Sequence, residues 1–198
     1  MLFIGLTGGI GSGKSEALAA CRRAGAAVLS TDQVVHDLLA TEEVKDILVA
    51  RWGDAVLSDA MIDRAAVAQI VFNNPDELGW LEHELFPLVG AEMVAWRAEL
   101  ESSDPPDAAV VEVPLLFEAG GEGVFDATVA VVADEKLRAE RAASRDHEAV
   151  GERAARQLSQ EEKARRADYV LENDGSLEDL DRAVAELLAR IERESARA

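Results

Sequence analysis

Cysteine, histidine and positive charge are scarce in this chain of 198 residues. Cys21 is the one cysteine, which excludes an internal disulfide, and its place in a helical pattern favours a small buried side chain over a reactive thiol. The three histidines, His36, His83 and His147, lack the spacing of metal ligands. The composition therefore gives no indication of a disulfide scaffold or a zinc site.

Long apolar runs are also missing. No stretch approaches the roughly 20 residues that span a bilayer, and the N-terminal run lacks the flanks of a signal peptide. The formal net charge is −19, and nucleic acids and anionic membranes bind basic surfaces, so we expect neither as a partner. We expect one cytoplasmic domain with a sizeable core.

What the chain does contain is a phosphate-binding motif. Residues 8–15, the phosphate loop, read Gly-Gly-Ile-Gly-Ser-Gly-Lys-Ser, fit the pattern G-x-x-x-x-G-K-[ST], and follow an apolar run at 2–6. Glycines let backbone N–H groups converge on phosphate oxygens, and the following helix aims the positive end of its dipole there. The alternative, a chance glycine-rich turn, does not explain the strand and helix patterns on either side. The residues predicted to bind nucleotide here are Gly8, Gly9, Gly11, Ser12, Gly13, Lys14 and Ser15.

Two side chains of the phosphate loop have specific expected roles. Lys14 would reach the β- and γ-phosphates of a nucleotide, and the Ser15 hydroxyl would join the coordination shell of Mg²⁺. A polyanionic substrate also requires basic residues near the site, and residues 136–166 hold nearly half of the lysine and arginine. The alternative for any one of these arginines is an exposed helix face with i,i+4 pairs to glutamate.

Apolar runs alternate with helical patterns along the chain. We predict strands near residues 2–6, 26–31, 108–113, 127–132 and 168–172, and a mainly helical insertion at 32–101. The run at 128–132 is apolar without alternation, which is typical of parallel strands covered on both faces. The pattern predicts an α/β fold, whose ligands lie at the carboxyl ends of the strands.

Helix boundaries are indicated at three positions. Gly25 should close the helix that follows the phosphate loop. Pro87 should break or bend the helical pattern at 76–101 near Phe86. Ser176 with Asp179 resembles a capping box that opens a final amphipathic helix.

Taken in order, the motifs resemble those of the dephospho-coenzyme A kinases. Residues 5–15, Gly-Leu-Thr-Gly-Gly-Ile-Gly-Ser-Gly-Lys-Ser, look like the opening of that family. The further matches are Ser30-Thr31-Asp32, Pro114-Leu115-Leu116-Phe117-Glu118, Arg141 with Arg145, Arg153 with Gln157, Glu161-Glu162-Lys163, Ala167-Asp168-Tyr169-Val170 and Asn173-Asp174-Gly175. The resemblance implies a kinase that uses ATP and Mg²⁺ to phosphorylate the ribose 3′-hydroxyl of dephospho-coenzyme A, the last step of coenzyme A synthesis.

The resemblance also implies an architecture. The family fold is a three-layer α/β/α phosphate-loop kinase core with a parallel sheet, a helical acceptor-binding region and a lid. In this sequence a single kinase domain would have its core at 1–31, 108–140 and 166–198. The acceptor-binding insertion would be 32–101, and the lid would lie at about 141–165.

Residue roles are carried over from the matching motifs. Asp32 follows the second strand, where its carboxylate would orient the acceptor hydroxyl toward the γ-phosphorus. Its alternative is a helix cap for residues 33–40. Arg141, Arg145 and Arg153 are the candidate lid arginines, whose guanidinium groups hold phosphate oxygens in bidentate fashion.

The segment that begins at Asn173 lies beside the adenine of ATP in this family, and Gly175 would permit close approach of a base. A β-turn before the last helix explains that segment equally well. Ser30 stands where many members have Asp, and Phe86 stands where they have His. Glu112 either acts through a metal-bound water or is buried beside an arginine.

Two rival functions differ from the leading one in class or substrate. A small-molecule or nucleoside monophosphate kinase would share the core but bind another acceptor. A regulatory module would bind nucleotide without transferring phosphate. A GTPase switch is disfavoured, since the sequence lacks an Asn-Lys-x-Asp guanine motif.

Overall fold

The structure, a computed structural model, describes residues 1–72, 74–102, 104–143 and 157–197. The chain divides into two compact units. The core unit comprises Met1–Ser30 and Leu100–Ala198, and the helical unit comprises Thr31–Glu99.

The described elements in chain order are β1 (Leu2–Gly8), α1 (Lys14–Arg23), β2 (Ala27–Ser30), α2 (Thr31–Leu38), α3 (Glu42–Trp52), β3 (Leu57–Ser58), β4 (Met61–Ile62), α4 (Arg64–Phe72), α5 (Pro75–Ser102), β5 (Ala108–Glu112), β6 (Ala127–Val132), α6 (Glu135–Ala143), α7 (Gln160–Arg166), β7 (Tyr169–Glu172) and α8 (Leu177–Ser195). Short 3₁₀ turns occur at Gly53–Val56 and Glu122–Val124.

A five-stranded sheet organises the core unit, with the order β2-β5-β1-β6-β7 and every neighbouring pair parallel. All five predicted strands are present, with small differences at their ends. Every residue of β5 is buried, which explains why the central strands are apolar without alternation. The predicted α/β fold is confirmed.

Helices and loops cover both faces of the sheet. On one face, Leu6 and Val129 pack in a single cluster with Leu18 of α1 and Val184 of α8. On the other face, a Cβ at Gly5 would meet the side chains of Phe125 and Leu116, and α7 packs against β1 and β6. The layers are therefore those of an α/β/α sandwich.

Cys21 lies in the first of these clusters and is 4% exposed. Burial raises the pKa of its thiol to about 11, so the side chain stays protonated at neutral pH. The prediction of a small buried side chain is confirmed.

The two predicted helix ends of the core unit are also confirmed. Gly25 follows α1 with φ 95°, a left-handed conformation that favours glycine. The Ser176 hydroxyl accepts from the Asp179 N–H, and the Asp179 carboxylate accepts from the Ser176 N–H, forming the capping box of α8.

The helical unit has its own apolar core. Val44, Leu48 and Leu85 lie in this core, and each is less than a tenth exposed. The rings of Trp52 and Trp80 pack edge to face, with their centroids 5.0 Å apart.

The β3–β4 hairpin of this unit was not predicted. Its strands have two residues each, too short for a periodic signal. Its turn uses positive φ angles at Asp59 and Ala60 in place of glycine, so the usual sequence signal of a hairpin is missing.

Helix α5 runs through Pro87 without interruption, so the helix does not break there, and the alternative of a bend near Phe86 stays a prediction. Proline removes one backbone hydrogen bond and crowds the preceding turn. Leu81, Leu85 and Val89 are buried on both sides of it, and this packing holds the helix together. No described helix, α5 included, is both long and apolar enough to cross a membrane.

Candidate active site

The phosphate loop joins the carboxyl end of β1 to the first turn of α1. Gly11 and Gly13 have φ angles of 78° and 87°, in the left-handed region that favours glycine. The Ser12 N–H donates to the Gly9 carbonyl at 3.2 Å, which closes the turn. The predicted strand, loop and helix arrangement is thus present.

Close packing gives a second reason for glycine at these positions. A Cβ at Gly11 would overlap the carbonyl oxygen of Arg138, and one at Gly13 would overlap Nδ2 of Asn173. Both approaches are far inside van der Waals contact. The neighbouring backbone and side chains therefore press directly on the outside of the phosphate loop.

Asn173 braces the phosphate loop from the end of β7. Its Nδ2 donates to the Ser12 carbonyl at 2.9 Å, and its N–H donates to the Val132 carbonyl at 2.9 Å. Arg141 then donates from Nη1 to the Asn173 carbonyl at 3.1 Å. Asn173 and Arg141, both predicted site residues, are therefore brought beside the loop.

Gly175 has a local explanation. A Cβ there would lie 2.9 Å from Cβ and Oδ2 of Asp179, so glycine leaves room for the capping box of α8. Its expected contact with adenine stays a prediction.

The inner side of the phosphate loop contains polar atoms suited to phosphate. Oγ of Ser12 is fully buried and has no hydrogen-bond partner among the described residues. The Lys14 ammonium donates to the Gly9 carbonyl at 3.0 Å, so the side chain lies over the loop. A buried hydroxyl without a partner is costly, and a phosphate oxygen would satisfy it.

Ser15 and Glu112 meet at the same edge of the sheet. The Ser15 hydroxyl donates to Oε1 of Glu112 at 3.4 Å, and Glu112 is 5% exposed at the end of β5. Strand pairing places Glu112 level with Leu6 on one side and Ser30 on the other. Ser30 has no carboxylate, but Glu112 supplies one at the same level of the adjacent strand.

Asp32 lies in the first turn of α2, two residues beyond the carboxyl end of β2, and it is exposed. Helix α2 begins at Thr31, so Asp32 is inside the helix and does not cap residues 33–40; that alternative is wrong. Its carboxylate interacts favourably with the positive end of the helix dipole. Asp32 belongs to the helical unit.

The arginines of residues 136–166, the basic segment, differ in what they contact. Arg138 donates from Nε to the Ile10 carbonyl at 3.2 Å and so supports the phosphate loop, a contact that the sequence did not indicate. Arg165 is exposed and pairs with Glu162 on its own helix, as the alternative of an exposed helix face predicted, although the spacing is i,i+3 and not i,i+4. Arg145 and Arg153 lie outside the described residues.

Lys163 is a second residue whose position was not foreseen, although its motif is part of the family resemblance. It is fully buried, and its ammonium donates to the Pro114 carbonyl at 2.6 Å and to Thr7 Oγ1 at 3.4 Å. Glu118 pairs with it at 2.8 Å. Burial lowers the pKa of Lys163, and the hydrogen bond to Glu118 opposes that effect.

The chain is similar to known kinases along most of its length. The dephospho-CoA kinase family model matches residues 2–179. A dephospho-CoA kinase from Thermus thermophilus is 38% identical over 193 residues, covering 96% of this chain and 92% of that protein.

Solved structures agree with the sequence match. One from Thermus thermophilus, 38% identical, covers 96% of this chain and 97% of its own with a TM-score of 0.80. A dephospho-CoA kinase from Campylobacter jejuni, 25% identical, covers 98% of each chain with a TM-score of 0.71. With its family motif, fold and phosphate loop all in agreement, the chain belongs to the dephospho-CoA kinase family.

Proposed function

We propose that this protein transfers the γ-phosphoryl group of ATP to the ribose 3′-hydroxyl of dephospho-coenzyme A, giving coenzyme A and ADP. Family membership supports this activity, and the family carries out the last step of coenzyme A biosynthesis. The predicted enzyme class is confirmed by the same comparisons. The observation that carries the proposal is the family match along residues 2–179, together with a phosphate loop of suitable geometry.

The donor half of the reaction is assigned to the phosphate loop. Its backbone N–H groups and the buried Ser12 hydroxyl would hold phosphate oxygens at the start of α1, where the helix dipole favours negative charge. Lys14 would exchange its bond to the Gly9 carbonyl for bonds to the β- and γ-phosphates. Arg141, held beside the loop by Asn173, would balance the charge that moves during transfer.

Residues for a magnesium ion are Ser15 and Glu112. An oxygen pair of this kind suits Mg²⁺, and no cluster of three His, Cys, Asp or Glu that would form a complete protein shell occurs among the described residues. Phosphate oxygens and water would fill the other positions. Bound there, Mg²⁺ would supply positive charge that neutralises the charge developing on the transferred phosphoryl group. We assign Ser15 as a direct ligand and Glu112 to an orienting role through Ser15 or a bound water.

The acceptor half is assigned to the helical unit. We propose that residues 32–101 bind dephospho-coenzyme A and that Asp32 accepts a hydrogen bond from its 3′-hydroxyl. Little proton transfer is needed early in a loose phosphoryl-transfer transition state, so the carboxylate acts mainly by orienting the nucleophile. We propose that the part of residues 141–165 that precedes α7 acts as a lid, with Arg145 and Arg153 as its phosphate-binding arginines, because α7 itself packs against β1 and β6 of the core unit.

The binding partners and the cellular location of the protein are also proposals. A net charge of −19 disfavours nucleic acid and anionic membrane as partners and leaves the two small molecules, ATP and dephospho-coenzyme A, as substrates. We propose a cytoplasmic location, where both substrates are available.

Incubation of the purified protein with Mg·ATP and dephospho-coenzyme A should give ADP and coenzyme A in equal amounts, as measured by chromatography. Chelation of Mg²⁺ with EDTA should abolish turnover, and replenishment should restore it. Adenosine compounds without the pantetheine arm test the acceptor: equal turnover of these would favour another small-molecule kinase. Tight ATP binding without turnover of any acceptor would contradict the proposal and favour a regulatory module.

The Gly13→Ala variant should bind Mg·ATP at least about tenfold more weakly, because the new Cβ would displace Asn173 from the Ser12 carbonyl. Gly25→Ala is the matched control. Gly25 has a similar φ of 95°, but a methyl group there would have only its chain neighbours within 4 Å among the described residues. Both substitutions impose left-handed strain of about 1–2 kcal/mol. Calorimetric titration with ATP should separate them, and equal affinities would argue against the bracing role of Asn173.

A further inference from the structure

Helix α7 holds the ends of three neighbouring strands of the sheet. Lys163 bonds to Thr7 at the end of β1 and to the Pro114 carbonyl just after β5. One turn earlier, the Gln160 side chain accepts from the Ala133 N–H at 2.9 Å and donates to the Ala133 carbonyl at 3.0 Å, just after β6. The short helix therefore connects three strands at the edge that carries the phosphate loop.

The bonds of Lys163 begin where the sheet hydrogen bonds between β1 and β5 end. Strand pairing extends to Leu6 and Glu112, followed by the bond from the Val113 N–H to the Leu6 carbonyl at 2.8 Å. Beyond this point, the Thr7 hydroxyl donates weakly to the Pro114 carbonyl at 3.4 Å, and the ammonium contacts both oxygens. Lys163 continues the connection between the strands after the backbone ladder has stopped.

The Glu118 carboxylate balances the charge of Lys163, but burying the two charges costs desolvation free energy. Its side chain is fully buried, and both carboxylate oxygens of Glu118 approach it, at 2.8 and 3.1 Å. Oε1 of Glu118 also accepts from the Leu158 N–H at 2.7 Å. A buried ion pair is often no more stabilising than apolar side chains of the same volume, so stability alone does not account for an ammonium at this position.

The groups that Lys163 contacts are next to the residues proposed to bind Mg·ATP. Thr7 immediately precedes the phosphate loop, and Pro114 follows Glu112 by two residues, while Glu112 accepts from Ser15. We propose that Lys163 is a positioning residue that fixes the phosphate loop relative to Glu112 and so sets the geometry in which Mg·ATP is bound. This inference rests on the proposed function for its kinetic readout.

The test compares three variants with the wild-type enzyme. Lys163→Met removes the ammonium and keeps an unbranched side chain that is shorter by that one atom. Lys163→Met combined with Glu118→Gln also removes the carboxylate, so that no buried charge is left without its partner, and the glutamine still accepts from the Leu158 N–H. Arg165→Met is the matched control, because it removes a positive charge from an exposed position of the same helix. For each protein the melting temperature is measured by circular dichroism. The kcat, the KM for Mg·ATP and the Kd of Mg·ATP are then measured well below that temperature.

We expect Lys163→Met to lower kcat/KM for Mg·ATP by about 10- to 100-fold, the effect of displacing reacting groups by a fraction of an ångström to one ångström. The double variant should regain much of the melting temperature and keep the kinetic loss, and Arg165→Met should match the wild type. Because it leaves no lone buried charge, the double variant decides the question even if Lys163→Met does not fold.

Recovery of both the melting temperature and kcat/KM in the double variant would overturn the inference and leave Lys163 with a role in stability alone. Absence of coenzyme A formation by the wild type is a different result, because it would reject the proposed function. The Kd of Mg·ATP would then still test Lys163: an unchanged Kd in the double variant would overturn the positioning role, and a raised Kd would support it.

Discussion

Replacement of Lys14 by alanine is expected to lower kcat/KM for Mg·ATP by about 10³-fold, an effect comparable to removing one donor from a preorganised transition-state site. The ammonium already lies over the phosphate loop, 3.0 Å from the Gly9 carbonyl, so little rearrangement is needed to reach a bound phosphate. Bonds to charged groups contribute about 1.5–3 kcal/mol each, which predicts weaker ATP binding as well as slower transfer. Steady-state kinetics and calorimetric titration measure the two effects separately.

Arg182→Ala is a suitable control for this variant. Arg182 lies on α8, is exposed, and pairs with Asp179 on its own helix, so its removal changes the net charge equally without touching the phosphate loop. The wild-type and Lys14→Ala proteins should have similar melting temperatures, because the Lys14 ammonium lies over the loop and outside the apolar core. A loss of less than about tenfold in kcat/KM would be inconsistent with a central role for Lys14 in transfer.

The parts of the fold that sequence predicted are those governed by local pattern. Residues 108–112 are buried on both faces of the sheet, so each position is apolar or small apart from Glu112, and the run is recognisable without its partners. The capping box at Ser176 and the left-handed Gly25 follow from the chemistry of a few adjacent residues. These features need no information about the rest of the chain.

Tertiary packing accounts for the errors in the helical unit. Pro87 has an intrinsic cost in any helix, but buried leucines and a valine on either side keep α5 continuous, and no local rule includes that contribution. The β3–β4 hairpin has only two residues in each strand, and Asp59 and Ala60 at its turn are not the usual glycine signal. At both places, tertiary packing determines the backbone conformation against the preferences of the local residues.

In the candidate site, too, a local motif could be recognised from sequence, whereas contacts between distant residues could not. The phosphate loop was recognised from eight consecutive residues, whereas the bond from Asn173 to Ser12 joins positions 161 apart and the bond from Lys163 to Thr7 joins positions 156 apart. Family motifs marked Asn173 and Lys163 as notable, but only the fold assigns their contacts. Arg138, which supports Ile10, carried no signal beyond its place in a basic segment.

Sheet order explains why Glu112 could not be assigned from sequence. β2 follows β1 along the chain, yet β5 lies between them in the sheet. This crossover places Glu112 between Leu6 and Ser30, within 3.4 Å of the Ser15 hydroxyl. The carboxyl end of a strand at such a crossover is where α/β folds bind ligands. A sequence indicates the strands but not their order, so the two interpretations of Glu112 could not be separated.

The Asp32→Asn substitution is expected to reduce kcat by about 10²- to 10⁴-fold, the usual contribution of a positioned acid–base group. Asparagine keeps the shape of the side chain and one accepting oxygen, but it loses the negative charge that strengthens the hydrogen bond from the acceptor hydroxyl. Because Asp32 lies in the first turn of α2, the loss of its favourable dipole interaction should cost only about 0.3–1 kcal/mol of stability. Kinetics with dephospho-coenzyme A should show the loss mainly in kcat.

Asp37→Asn provides the control on the same helix. Asp37 is exposed, accepts from the Gln33 side chain at 2.8 Å, and its replacement changes the net charge as much as the Asp32 variant does. If both variants lost activity equally, the effect would be electrostatic and not specific to Asp32. If Asp32→Asn instead raised the KM for dephospho-coenzyme A with kcat unchanged, Asp32 would contribute to acceptor binding alone. A fall in kcat confined to Asp32→Asn would assign the Asp32 carboxylate to the transfer step, through its charged hydrogen bond to the acceptor hydroxyl once both substrates are bound.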